Sequence, residues 1–425
     1  MYSMVDSKWL VIKSMLHKLK LKAKVGYITS SALTQARQSL GTTPFFELHD
    51  KASTKHFEKH SEIIQYKGRP LYVIDGSNLN LPSCKSLSDA FGRPNSSATK
   101  KSLPQASFTV LELLNTDWIV DYKLDDFKAG ELNQAKELVS KNLSKGDFLL
   151  ADRLYFDTKW YASMVSREID FMFRVNCDRY KSCTPESREK ILLQRKKPGN
   201  IDLTVDLRVA GTNKDLPKII SLRYMEIPRK GAQTLFFMTT LSENEFSQQE
   251  AVELYRMRWE IETDFRFFKG QDHLPVLLSK TEETVKQEVI MKVIAHNSLR
   301  FIQSDACLKV RAGDLPKNTP KTVKKSTKWK LKSSTHSFGL RPTDLQYLKT
   351  LSIVSGFILQ SIVNCGDMCA KDSRSLLAEI ARSEILVYPN RSFPRRKKKF
   401  GTKGDVKAQD QRRRARIKAL EDEPT

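Results

Sequence analysis

The chain has 425 residues, 40% of them hydrophobic, enough for two or three domains and a large core. Its 73 Lys+Arg against 49 Asp+Glu leave a net charge of +24, which predicts a polyanionic partner, either nucleic acid or an acidic membrane surface. No long apolar run marks a membrane span, and "MYSMVDSKWLVIKSMLHKLKLKAK" at the start lacks the apolar core and cleavage site of a secretory signal, so a cytoplasmic protein is expected.

Residues 1–65 read as a helical, basic region broken by the loop "SLGTTPFFELHD". His49, His56 and His60 cluster there with no cysteine nearby, and read as surface or capping residues rather than metal ligands. The six cysteines (Cys84, Cys177, Cys183, Cys307, Cys365, Cys369) form no CxxC pair, so neither a zinc site nor a disulfide framework is expected. Cys365 and Cys369, one helical turn apart in an apolar segment, read as core.

From Gly68 the texture changes. "RPLYVIDGSNLNLP" is a short apolar run ending at an aspartate and a glycine, which predicts a buried strand with Asp75 at its exit. "QASFTVLELLN" and "TDWIVDYKLDD" are two further strands, antiparallel neighbours joined near Asn115. "AGELNQAKELVSKN" is a helix with Gly130 before its start, and "KGDFLLADRLYFD" is a turn and a strand with Asp152 at its exit. "TKWYASMVSRE" is a helix and "IDFMFRVN" a strand. Three strands, a helix, then strand–helix–strand is the order of an RNase H-like α/β core, in which residues at strand ends gather ligands. Residues 66–175 form its first part. Residues 176–233 alternate apolar and polar side chains and read as a β-rich insertion. The core resumes at "QTLFFMTTL" and runs over 234–310, with a long helix capped by Ser247. A helical, basic C-terminal region spans 311–390, including the lysine-rich "KNTPKTVKKSTKWKLK" and an apolar helix around "LKTLSIVSGFILQSIVN". The tail 391–425 holds 13 bases and 5 acids, a composition that favours disorder and non-specific phosphate contact.

The densest chemistry is "YRMRWEIETDFRFFKG", residues 255–270. At about 100° per residue, with Tyr255 at zero, Arg258 falls near 300°, Glu262 near 340°, Arg266 near 20° and Lys269 near 320°. Leu254, Met257, Ile261, Phe265 and Phe268 form the neighbouring apolar face, while Glu260 and Asp264 point elsewhere. Taken alone, the stripe is a set of i,i+4 ion pairs worth about 0.2–0.5 kcal/mol each. Taken with Asp75 and Asp152, Glu262 is the third carboxylate of an oxygen cage for a divalent cation, and the bases beside it grip phosphates.

Tyr255, Arg258, Glu262 and Lys269 stand in the Y-x2-R-x3-E-x6-K spacing, and "VIDGS" and "LLADRLYF" carry the two aspartates. These motifs resemble the DDE transposases of bacterial insertion sequences, and more narrowly those that cut and paste through hairpin-ended DNA. The resemblance runs from about residue 30 to 310, with "SSALTQARQSLG" near its start. It implies an RNase H-like core with Asp75, Asp152 and Glu262 holding Mg²⁺ or Mn²⁺, two ions about 4 Å apart. It also implies that Tyr255, Arg258 and Lys269 hold DNA phosphates near the cleaved end. Arg153 and Tyr155, in the second motif, take supporting or DNA-contact roles. Arg174 sits where relatives carry a DNA-contacting arginine, and equally reads as a solvated strand-end base. The partners implied are terminal inverted repeats, bound by residues 1–65 with the insertion and the basic C-terminal part, then target DNA, with a homodimer in the DNA complex. One feature departs from the pattern: residues 176–254 contain no tryptophan to stack a flipped base. Tyr224, Phe236 and Phe237 read as core and Trp259 as a packing residue. The alternatives left open are a nuclease of the same fold, a catalytically silent DNA-binding protein and a membrane-surface protein, although no basic amphipathic anchor stands out for the last.

Overall fold

The computed structural model describes residues 30–94, 102–211, 215–229, 232–258, 261, 277–315, 330–331, 340–346, 349–354 and 370–387. Glu262, Arg266, Lys269, Trp259, Cys365, Cys369 and the tail 391–425 lie outside them, as does most of the apolar stretch after Lys349.

Among the described residues nine strands build one sheet, a two-residue strand and eight longer ones: β1 (Arg69–Asn80), β2 (Gln105–Leu113), β3 (Trp118–Asp126), β4 (Phe148–Ala151), β5 (Asp170–Arg174), β6 (Ile201–Arg208), β7 (Ile219–Arg229) and β8 (Ala232–Thr239). Their order is β3-β2-β1-β4-β5-β8-β7-β6, and the two-residue strand Gln65–Tyr66 pairs with the start of β1. Within it, β1, β2 and β3 are antiparallel, while β4 and β5 run parallel to β1. This is the order and sense expected of an RNase H-like core. The two strands of the insertion extend the same sheet through β8.

The central strands are apolar on both faces because both are covered. Leu71, Val73, Phe148 and Leu150 belong to one core layer. Their alternates Tyr72, Ile74, Leu149 and Ala151 belong to the other. The first layer is closed by α7 (Gln248–Met257) through Ala251, Leu254 and Met257, and by the first half of α8 (Glu282–Arg311) through Val285, Val289 and Val293. The second is closed by α4 (Glu131–Asn142) through Ala135, Leu138 and Val139, and by α5 (Thr158–Ser166) through Tyr161 and Met164. Ser247 caps α7 as expected, in a reciprocal capping box with Glu250.

Three expectations are corrected, and one, the β-rich insertion, is filled in. The segment "SLGTTPFFELHD" is mostly helix: α1 (Ser30–Leu40) and α2 (Thr43–Lys59) are parted only by Gly41, at φ +65, and Thr42, and Pro44 begins the second helix well. His49, His56 and His60 are buried, not at the surface. Helix α2 lies on β3 and α8, so His56 stacks on Trp118 at 4.1 Å and the His60 Nε2 meets Asp305 at 2.9 Å. The insertion contains a helix, α6 (Pro185–Arg195), nucleated by the Thr184 cap and Pro185. Finally, Asp75 is not at a strand exit but inside β1, which continues to Asn80 because β2 pairs with it along that whole length.

Candidate active site

The strand register explains why the two aspartates meet. In the parallel pair β1–β4, Leu71 faces Phe148, Tyr72 faces Leu149 and Val73 faces Leu150. Carried on two places, that register sets Asp75 level with Asp152. Both continue the alternation of Val73 and Leu150, so both side chains emerge on the face covered by α7. Asp75 outlives its pairing with β4, and Asp152 follows the last residue of β4, so the carboxylates sit where the parallel part of the sheet opens.

Helix α7 and the residue after it then bring two side chains to them. The Tyr255 hydroxyl donates to Asp152 Oδ1 at 3.0 Å, and the Arg258 Nη1 donates to Asp75 Oδ2 at 3.0 Å. The Gly76 N–H donates to the other Asp75 oxygen, Oδ1, at 3.0 Å. Tyr255 is held by its ring edge against Phe237, with centroids 5.3 Å apart. The guanidinium carbons of Arg174 and Arg258 lie 5.5 and 5.4 Å from its ring centroid, within cation–π reach. Burial, followed by the charge of Asp152, raises the phenol's pKa against the opposing pull of Arg174 and Arg258.

From Tyr255 a chain of polar contacts leads outward. Arg174, the last residue of β5, donates to the Tyr255 hydroxyl at 3.1 Å and to Gln233 Oε1 at 3.3 Å. Arg229, the last residue of β7, donates to the Gln233 carbonyl at 2.8 Å. Burial and the nearby charge of Arg174 lower the pKa of Arg229, an arrangement of like charges that suits an anion between them.

Of the residues singled out in sequence, Asp75, Asp152, Tyr255, Arg258 and Arg174 are therefore brought together. Arg153 is exposed just beyond Asp152. Tyr155 goes the other way: at 1% exposure it is packed in the second core layer, with its hydroxyl on Glu131 Oε1. Of its two expected roles, support is the one this placement permits, and direct DNA contact is corrected. Burial, then the charges of Glu131 and Asp75, push its phenol well above the ordinary range, so it stays a donor. Tyr224 and Phe237 are wholly buried, in accord with a core role. Sequence reasoning missed Arg229, Gln233 and Glu131. A base at the end of each strand flanking β8 was a visible signal for the first, but no local pattern marked Glu131.

The donor set suits a hard divalent cation: two carboxylates and no His or Cys, where Mg²⁺ takes one or two carboxylates and keeps places for water and phosphate oxygens. Among the described residues, no three His, Cys, Asp or Glu side chains are grouped to hold a metal ion. The expected third carboxylate, Glu262, lies outside those residues.

A family described as "Transposase DDE domain" matches residues 66–298. The transposase InsG of insertion sequence element IS4, from Escherichia coli (strain K12), is 23% identical over 285 residues, 65% of this chain and 61% of that protein. The transposase of insertion sequence element IS421, from Escherichia coli, is 27% identical over 88 residues, 21% of this chain and 23% of that protein. A cryo-EM structure of the piggyBac transposase synaptic complex with hairpin DNA aligns at a TM-score of 0.38 with 9% identity, covering 76% of this chain and 59% of that one. The chain thus spans less than two thirds of the length of each of these relatives. No helix among the described residues is long and apolar enough to cross a membrane.

Proposed function

The chain belongs to the family of transposases with a DDE domain, and from that premise we propose that it cuts the ends of a mobile DNA element and joins them to target DNA. The observation that carries this reading is the pair Asp75 and Asp152, level on adjacent parallel strands and each engaged by a side chain of the same short stretch, Arg258 and Tyr255. In this reading Asp75, Asp152 and Glu262 hold Mg²⁺ or Mn²⁺, as one ion or two. When bound, such ions supply a competent oxygen nucleophile and stabilise the leaving oxygen of an in-line displacement at phosphorus.

The side chains of the protein supply position. Asp75, within β1, and Asp152, just past the end of β4, present their carboxylates from the sheet, which holds the reacting phosphate in one place. Arg174 and Arg229 offer guanidinium donors for the phosphates leading to it, with Arg153, Arg266 and Lys269 as further bases along the strand. Tyr255 sits between Asp152 and Arg174, and Arg258 holds Asp75, so both are placed to exchange carboxylate contacts for DNA contacts. Nicking, hairpin closure, hairpin opening and joining are the same displacement at phosphorus, so one site serves all four. Residues 1–65, the insertion at 176–233 and the basic region after 311 bind the terminal inverted repeats, and a homodimer joins the two ends.

The test uses labelled element ends, a target plasmid and Mg²⁺. Cleaved ends followed by joined products are expected, and Asp75→Asn should abolish both. Cleavage without joining would make the protein a nuclease. Binding without cleavage by the native chain would make it a silent relative.

A further inference from the structure

Behind the two aspartates, on the opposite face of the sheet, lies an arrangement that the proposed DNA chemistry does not use. Asp75 points toward α7, so its neighbour Gly76 faces α4. Glu131, the first residue of α4, lies directly over Gly76: a Cβ added there would meet the Glu131 Cγ at 2.6 Å and its Oε1 at 2.7 Å. The φ of Gly76 is not positive, so this glycine is required for space and not for backbone freedom. The same Oε1 accepts the hydroxyl of Tyr155, which is three residues past Asp152 and buried. One carboxylate therefore touches both segments that carry the aspartates.

We propose that Glu131 is a positioning residue that clasps Gly76 and Tyr155 together from behind and so fixes the separation of the Asp75 and Asp152 carboxylates. Its effect passes through its neighbours: Asp75 through the strand beneath it, and Asp152 through the short 3₁₀ turn Arg153–Tyr155 that the phenol ties down. Supporting contacts of this kind hold ligands in the geometry that a cation requires. The inference rests on the reading of Asp75 and Asp152 as cation ligands.

The experiment measures Mn²⁺ affinity of the full chain without DNA, by electron paramagnetic resonance of the unbound ion, beside thermal unfolding. Glu131→Ala and Tyr155→Phe should each weaken Mn²⁺ binding about 10-fold. Glu131→Gln, which keeps an oxygen for the phenol, should recover most of that loss. The Ala/Phe double variant should bind no more weakly than the worse single one, because both break one contact. Unchanged affinity in folded Tyr155→Phe and Glu131→Ala would overturn the proposal, and so would additive losses. A Gln variant as weak as Ala beside an unaffected Tyr155→Phe would also overturn it, since charge rather than the clasp would then be at work. Asp75→Asn separates the two claims. If it leaves Mn²⁺ binding intact, the reading of the site fails. If it abolishes binding while the clasp variants bind normally, only the clasp fails.

Discussion

Arg258 donates to Asp75 across 3.0 Å, with 3% of the arginine side chain exposed against 16% of the aspartate. The pair ties the residue just beyond α7 to the central strand. Removing one partner of such a pair leaves a charge with little water to receive it. Arg258→Ala should therefore destabilise the fold by about 2–3 kcal/mol, below the usual range for a fully buried pair because Asp75 retains some exposure. The double variant Arg258→Ala/Asp75→Ala should lose less than the sum of the single ones. Urea unfolding of the four proteins checks this, and strict additivity would contradict it.

Tyr255 acts through two parts that substitution can separate. Tyr255→Phe removes the hydroxyl between Asp152 and Arg174 but keeps the ring against Phe237. The expected cost in stability is about 1 kcal/mol. Tyr255→Ala also empties a buried site and should cost about 3 kcal/mol or more. End cleavage should fall in both, since Asp152 loses its only tie to α7 among the described hydrogen bonds. A phenylalanine variant that unfolds as readily as the alanine variant would show that the hydroxyl, not the ring, carries the packing.

The positions of these residues are legible in sequence to different degrees, for physical reasons. The aspartates stand out because buried parallel strands are short continuous apolar runs, and a carboxylate ending such a run adds nothing to the apolar core. Ser247 stands out because a helix cap is local, and Glu250 three residues on completes its box. The reach of β1 beyond Asp75 is not legible, since it depends on pairing with β2 and not on the residues of β1. The histidines mislead because polar residues are buried only with partners, and theirs are remote. His60 has Asp305, while His49 meets the Ile119 carbonyl and Asn297. Glu131 is invisible for the same reason: its role arises where α4 crosses Gly76.

Two buried histidines, His56 and His296, set a pH limit. Burial is the largest cause lowering the pKa of His56 from 6.5 to about 3, with the charge of His60 adding to it and Asp305 opposing. His296 is likewise lowered from 6.5 to about 3, by burial and then by Arg300. The folded state thus refuses protons that the unfolded chain accepts below about pH 6.5, so stability is lost as pH falls through that window toward 3. The slope approaches about 1.4 kcal/mol per pH unit for each histidine once the unfolded chain is protonated. Urea unfolding between pH 7 and pH 5, above the range where carboxylates dominate, should show stability falling with pH. A flat profile there would contradict lowered pKa values at His56 and His296.

Arg174 and Arg229 give the DNA reading its own measurable signature. Both end strands beside β8, both donate to Gln233, and neither has a carboxylate partner among the described ion pairs. Held close together, they are expected to contact successive or shared phosphates. Each such contact releases counterions, so the slope of log K against log salt should shrink by about 1 for Arg174→Ala and by about the same for Arg229→Ala. The loss should be similar for element ends and for unrelated duplexes, because phosphate contacts position DNA without reading its sequence. Fluorescence anisotropy over a salt series measures both quantities. An unchanged slope would remove these arginines from the interface. A loss confined to element ends would instead give them a part in recognising sequence.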